Sequence, residues 1–117
     1  MNNNPPESSE NCIFCKITSK QIPAEIVYED ENFLAFLDIN PKGSHHTLLI
    51  PKAHYHWFYE LPDQLYDEMF RRVKELVPML KEKAGADYVK LGIVGTDVPH
   101  VHIHLIPRKL AEKDNVI

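Results

Sequence analysis

The sequence predicts a single α+β domain, a five-stranded antiparallel sheet with one long and one short helix. Three observations carry that expectation. Apolar residues recur at three- and four-residue steps from Leu65 to Leu80, the period of a helix with one buried face. Short runs rich in β-branched and aromatic residues flank this helix, too closely spaced to alternate with further helices. In "PHVHIHLIPR", Pro99 to Arg108, histidines alternate with aliphatic residues, which is the period of a strand.

Taken in order, residues 1–11 are polar, carry Pro5 and Pro6, and show no periodicity, so they read as a disordered arm. "CIFCKITSKQIP" reads as a short helical turn that ends before Pro23, because a proline disfavours helix in the residue before it. "EIVYED" and "NFLAFLDI" read as a hairpin with "EDEN" as its turn. "HHTLLIPK" is a third strand, and "HYHWFYEL" has no clear assignment. The long helix begins near Pro62 and Asp63, with Asp63 as a candidate cap, and stops at Gly85. Pro78 inside it removes one backbone hydrogen bond and should kink the last turns. "DYVKLGIVG" and "HVHIHLIP" are the fourth and fifth strands, and residues 109–117 form a short tail. Helical packing is expected on one face of the sheet.

The chain has 117 residues, 44% hydrophobic and 26% charged, which suits one globular domain. Its net charge of -4 argues against a nucleic-acid backbone or an anionic membrane as the main partner. No apolar run approaches the ~20 residues of a membrane span, and the first residues lack the regions of a signal peptide. The expected compartment is the cytoplasm. There Cys12 and Cys15, spaced C-x-x-C, are a redox pair, half of a metal site, or two buried apolar residues, rather than a structural disulfide.

Strand alternation sends Val101, Ile103 and Leu105 to the core and His100, His102 and His104 to the other face. Three chemistries fit such a row. It can be a solvated face. It can hold a catalytic zinc that activates water. It can place a nucleophilic imidazole between neighbours that orient it or hold an anionic substrate.

Together with the rest of the chain, the row resembles the signature of the histidine triad family of nucleotide hydrolases and transferases. "NCIFCKITSKQIPAEIVYEDENFLAFLDINPKGSHHTLLIPKAH" resembles that family's amino-terminal half, and the motifs follow its order over residues 12–108. The resemblance is to the Hint-type branch.

The resemblance implies that His102 attacks the α-phosphorus of a purine nucleoside phosphoramidate or dinucleoside polyphosphate, forming a nucleotidyl-histidine that water then hydrolyses. It implies that the carbonyl of His100 anchors the other ring nitrogen of His102. His104 and His46 match the histidines that line the phosphate. Ile22, Leu37, Asp38 and Ile39 match the nucleoside pocket, with Asp38 accepting from the ribose hydroxyls; for the three aliphatic residues, plain core packing is the competing reading. Cys12, Cys15, His54 and His100 match a structural zinc site found in some members, two sulfurs and two nitrogens suited to tetrahedral Zn²⁺. His56 has no assigned role and is expected to be exposed. The resemblance also implies a homodimer with a continuous sheet, joined through the long helix and the strand near Asp87 to Gly95.

One segment departs from the family pattern. In "LGIVGTDVPH", Thr96 falls where relatives carry glutamine and Asp97 where many carry serine. Gly95 and Thr96 are expected to donate to the phosphate. Asp97 is expected to point away from it, since two anions repel. The competing functions are a binding module without turnover and a three-histidine zinc hydrolase.

Overall fold

The structure, a computed structural model, describes residues 11–112. The expected arm, apart from Asn11, and the end of the expected tail lie outside the described residues. The elements follow the order read from the sequence: α1 (Ile13–Thr18), β1 (Ile26–Glu29), β2 (Phe33–Leu37), β3 (Thr47–Pro51), a 3-10 turn (Phe58–Glu60), α2 (Asp63–Ala84), β4 (Tyr88–Ile93) and β5 (Ile103–Arg108). The strands form one antiparallel sheet in the order β1-β2-β3-β5-β4.

The turn between β1 and β2 is built by Asp30. Its Oδ1 accepts from the amides of Asn32 at 2.9 Å and Phe33 at 2.8 Å. Its Oδ2 accepts from the Tyr28 hydroxyl and from Arg72 Nε, each at 2.6 Å, so the hairpin is tied to α2. Burial opposes the charge on Asp30, but these donors outweigh it and hold the carboxyl at about 2.

α2 buries Met69, Val73, Leu76 and Leu80, the stripe expected from the spacing. Gly85 ends it in the left-handed conformation at φ 61°. One local expectation is corrected. Asp63 is the first helical residue and makes no side-chain cap bond; Pro62 holds the cap position, and its carbonyl accepts from Tyr66 N at 2.9 Å. The helix runs through Pro78 to Ala84, as the sequence reading has it. Pro78 is exposed, so the carbonyl it leaves unpaired can turn to water.

The expectation of helical packing on one face is corrected too. Phe33, Ala35, Leu49, Val101, Ile103 and Leu105 pack against α2. The intervening residues Leu34, Phe36, Leu48 and Ile50 pack on the opposite face against Cys12, Phe14, Cys15 and Ile17 of the α1 region. The local reason is visible in "FLAF" and "LLI", which are apolar at every position because both faces of β2 and β3 are buried. β4 is a sheet edge, with Leu91 exposed. No helix among the described residues is long and apolar enough to cross a membrane.

Candidate functional site

The histidine row leads into β5, between the central strand β3 and the edge strand β4. β5 begins at Ile103, so His100 and His102 precede the regular strand, and Val101 N donates instead to the Tyr55 carbonyl at 2.7 Å. The alternation persists across this irregular start. Val101, Ile103 and Leu105 lie in the α2 core, while Phe14 of α1 packs edge-on against the rings of both His100 and His102.

The three imidazoles do not converge on one point. His100 is fully buried; its Nε2 lies 2.8 Å from the Pro51 carbonyl, and its Nδ1 faces Cys12, Cys15 and His54. His102 Nδ1 lies 2.7 Å from the His100 carbonyl. A carbonyl only accepts, so Nδ1 carries the proton and Nε2 presents a lone pair. That Nε2 is buried and has no hydrogen-bond partner.

His104 is oriented through His46. The Lys42 amide donates to His46 Nδ1 at 3.0 Å, and His46 Nε2 lies 2.9 Å from His104 Nδ1. In the neutral rings this runs one way. His46 receives at Nδ1, donates from Nε2 to His104 Nδ1, and leaves His104 with an Nε2–H donor. Asp38 Oδ2 also lies near His46 Nε2, at 3.6 Å, but the shorter contact takes the proton. Burial lowers the pKa of His46, against the pull of Asp38 and with help from Lys42. Burial likewise lowers that of His104, reinforced by His102 and His46. At neutral pH both rings are therefore uncharged donors and acceptors.

His102 and His104 open onto a cavity of about 250 Å³ on the α1 side of the sheet. Ile22, Leu37, Asp38 and Ile39 line it, so the structure brings these residues together with the two histidines. Asp38 Oδ1 accepts from the Asn40 amide at 2.9 Å. Ile39 is 84% exposed, which removes core packing as the account of this residue. Ile13, Phe14 and Ile17 also line the cavity and were not singled out from the sequence. Their only signal was an apolar face on a turn that read mainly as a cysteine pair. His45 stands outside the strand, with φ 61° and its ring bonded to Ser44.

The segment before His100, with His56 packed against it, corrects two expectations, those for His56 and Asp97. Gly95 and Thr96 are not among the residues lining the cavity, and the Gly95 carbonyl accepts from His56 Nε2 at 2.8 Å. His56 is half-buried, stacked on Trp57 at 4.0 Å, rather than exposed. Asp97 does not point away. It lines the cavity, with Oδ1 3.5 Å from His102 Nε2. Pro99 and the turn at Gly95, φ 110°, shape a loop that no strand periodicity describes.

A second cluster lies behind the first. Cys12 Sγ is 3.3 Å from His100 Nδ1, Cys15 Sγ 3.1 Å from His54 Nδ1, and the two Nδ1 atoms are 3.2 Å apart. All four donor atoms lie within 4.8 Å of one another. The edges of a tetrahedral S₂N₂ zinc centre measure about 3.5 Å, so the donor set and its spacing fit Zn²⁺. The His100 Nε2 contact to Pro51 turns the Nδ1 lone pair towards this cluster, as outer partners of metal-binding histidines do. Burial depresses His100 to about 4, against the pull of the Pro51 carbonyl, which keeps the ring available as a neutral ligand.

The HIT domain family model matches residues 19–111. The chain is 49% identical over 102 residues to an uncharacterized HIT-like protein of Methanocaldococcus jannaschii, covering 83% of this chain and 78% of that one. It is 36% identical to an adenosine 5'-monophosphoramidase of Saccharomyces cerevisiae, over 91% of this chain and 67% of that protein. It is also 36% identical to an adenylylsulfatase of Arabidopsis thaliana, over 85% of this chain and 53% of that one. Among solved structures, a zinc-bound histidine triad protein from Mycobacterium smegmatis superposes with a TM-score of 0.83 at 35% identity, over 91% of this chain and 81% of that one. The sheet order, the histidine row and these matches agree: the chain belongs to the histidine triad (HIT) family.

Proposed function

We propose that this protein is a nucleotide hydrolase or transferase that cleaves at the α-phosphate of purine nucleoside phosphoramidates or dinucleoside polyphosphates through a nucleotidyl-histidine. One observation carries the reading: His102 Nε2 presents a buried, unbonded lone pair to a cavity, with its tautomer held by the His100 carbonyl. A buried polar atom left unpaired costs stability, so its retention marks a reactive position.

In this reading Nε2 bonds to phosphorus and the leaving group departs with its electron pair. Water then attacks, the P–N bond to His102 breaks, the monophosphate leaves, and one proton goes to solvent. His104 supplies a neutral Nε2–H donor to the phosphoryl oxygens, and His46 holds it in that tautomer. Asp38 accepts from the ribose, and Ile22, Leu37 and Ile39 hold the base. At about 250 Å³ the cavity falls just below the usual range of ligand sites, roughly 300–1,000 Å³, and suits one nucleotide better than two. The named activities of the yeast and Arabidopsis relatives support adenine nucleotides as substrates.

Cys12, Cys15, His54 and His100 hold structural Zn²⁺ in this reading, tying α1 to the catalytic loop and taking no part in the reaction. Free thiols used this way fit a reducing, cytoplasmic setting. A second copy pairs along the β4 edge to form a homodimer; light scattering at micromolar concentration showing only monomer would remove that part.

The test is rapid-quench intact mass spectrometry of the wild type and His102→Ala with an adenosine phosphoramidate. A transient adenylyl adduct on His102 in the wild type alone is expected. Turnover that survives in His102→Ala would overturn the mechanism.

A further inference from the structure

We propose that Asp97 determines which leaving group the enzyme accepts, favouring departing amines and disfavouring departing anions such as sulfate or polyphosphate. The inference rests on the nucleotidyl-histidine reading above and concerns a residue that the family pattern does not supply.

Asp97 Oδ1 lies 3.5 Å from His102 Nε2, and its side chain is 60% exposed, at the rim of the cavity. The two atoms do not bond to each other. Nε2 presents a lone pair because Nδ1 donates to the His100 carbonyl, and an ionised carboxylate only accepts. Two acceptors thus face the same space, and what enters between or beside them is selected by charge. The backbone amides of Val98 and Asp97 keep the carboxyl ionised against the effect of its partial burial.

The rest of the cavity sharpens the selection. Among the described residues its ionisable lining groups are Asp38, Asp97, His102 and His104; neither lysine nor arginine is among them. A leaving sulfate or pyrophosphate would bring further negative charge beside Asp97 with no cation among the described lining residues to receive it. A leaving amine brings the opposite. Cleaving a P–N bond requires a protonated nitrogen. Solvent supplies the proton, Nε2 bonds to phosphorus, the P–N bond breaks with its electrons on nitrogen, and a neutral amine departs. The nitrogen is cationic until that moment, and the nearby carboxylate stabilises it. The relatives make the choice concrete, since one is named a monophosphoramidase and another an adenylylsulfatase.

The experiment compares kcat/KM for adenosine 5'-phosphoramidate carrying an alkylamine with that for adenosine 5'-phosphosulfate, in the wild type, Asp97→Asn and Asp97→Glu. The wild type is expected to prefer the amine substrate. Asp97→Asn should shift the ratio towards phosphosulfate by on the order of 100-fold, the effect of one unit charge a few ångströms away in a partly buried site. Asp97→Glu should keep the wild-type preference. Simple damage to the fold lowers both rates and leaves the ratio alone. A ratio unchanged in Asp97→Asn, with both substrates still turned over, would overturn the role of Asp97. A wild type that turns over neither substrate would instead overturn the functional reading beneath it, and this proposal with it.

Discussion

His46 donates to His104: His46 Nε2 lies 2.9 Å from His104 Nδ1, while the Lys42 amide occupies His46 Nδ1 at 3.0 Å. A backbone N–H cannot reverse its role, so one main-chain group orients two side chains and leaves His104 with a donor towards the cavity. His46→Ala should free the His104 tautomer and lower kcat/KM by roughly 10–100-fold, the usual effect of losing an orienting partner. His46→Gln, which can still accept and donate, should recover part of the loss. Equal rates in His46→Ala and the wild type would show that His104 needs no orientation.

The same pair sets an acid limit. Both histidines are held below their ordinary values, chiefly by burial. The native state therefore binds fewer protons than the unfolded chain below about pH 6.5. Stability from these groups is full above that pH and is lost as pH falls through the depressed native values. Activity should stay level through neutrality and fall only on the acid side of 6.5. A fall centred at or above 6.5 in a pH–rate profile would contradict the neutral relay.

The sulfur and nitrogen cluster should bind one zinc ion per chain. Cys15→Ser or treatment with a chelator should lower Tm by on the order of 10 °C, because metal binding adds directly to folding stability. Turnover per folded molecule should change little, since Cys15 packs behind the catalytic loop. Metal analysis showing none, with an unchanged Tm in Cys15→Ser, would leave only two buried thiols.

Gly95 should resist substitution. It sits at φ 110°, and an added Cβ would lie 3.0 Å from the Trp57 ring. Gly95→Ala should cost about 1–3 kcal/mol from backbone strain alone. Gly92→Ala provides the contrast, for its added Cβ would meet only the His104 Cβ at an ordinary 3.9 Å. Matching thermal melts for the two variants would show that the loop relaxes around the new side chain.

Asp30→Asn tests the tie between hairpin and helix. The native carboxyl is held at about 2, below its ordinary 3.8. Its contribution is therefore present above pH 4 and disappears as pH falls through about 2. Discounted for partial exposure, it amounts to roughly 1–2 kcal/mol at neutral pH. The difference in Tm between the variant and the wild type should shrink steadily between pH 4 and pH 2. A constant difference across that range would assign the loss to packing instead.

Local patterns in the sequence were enough for the element order, the apolar stripe of α2, the Gly85 stop and the separation of Val101, Ile103 and Leu105 from the histidines. Each depends on side-chain period or on the conformation of one residue, and both are written within a few positions of the chain. The resemblance added the set Cys12, Cys15, His54 and His100, whose donor atoms the fold does bring together. What lay beyond local pattern was where neighbours in sequence point. Tertiary structure turned His100 away from His102 and His104, closed the second face of the sheet with Phe14, and aimed Asp97 at His102 rather than away. It also gave the orientation of His104 to a backbone amide at Lys42, which has no signature in any side chain. These features depend on contacts between residues tens of positions apart and on loop dihedrals around Gly95 and Pro99. Short-range periodicity carries no information about either, so only the packed chain decides them.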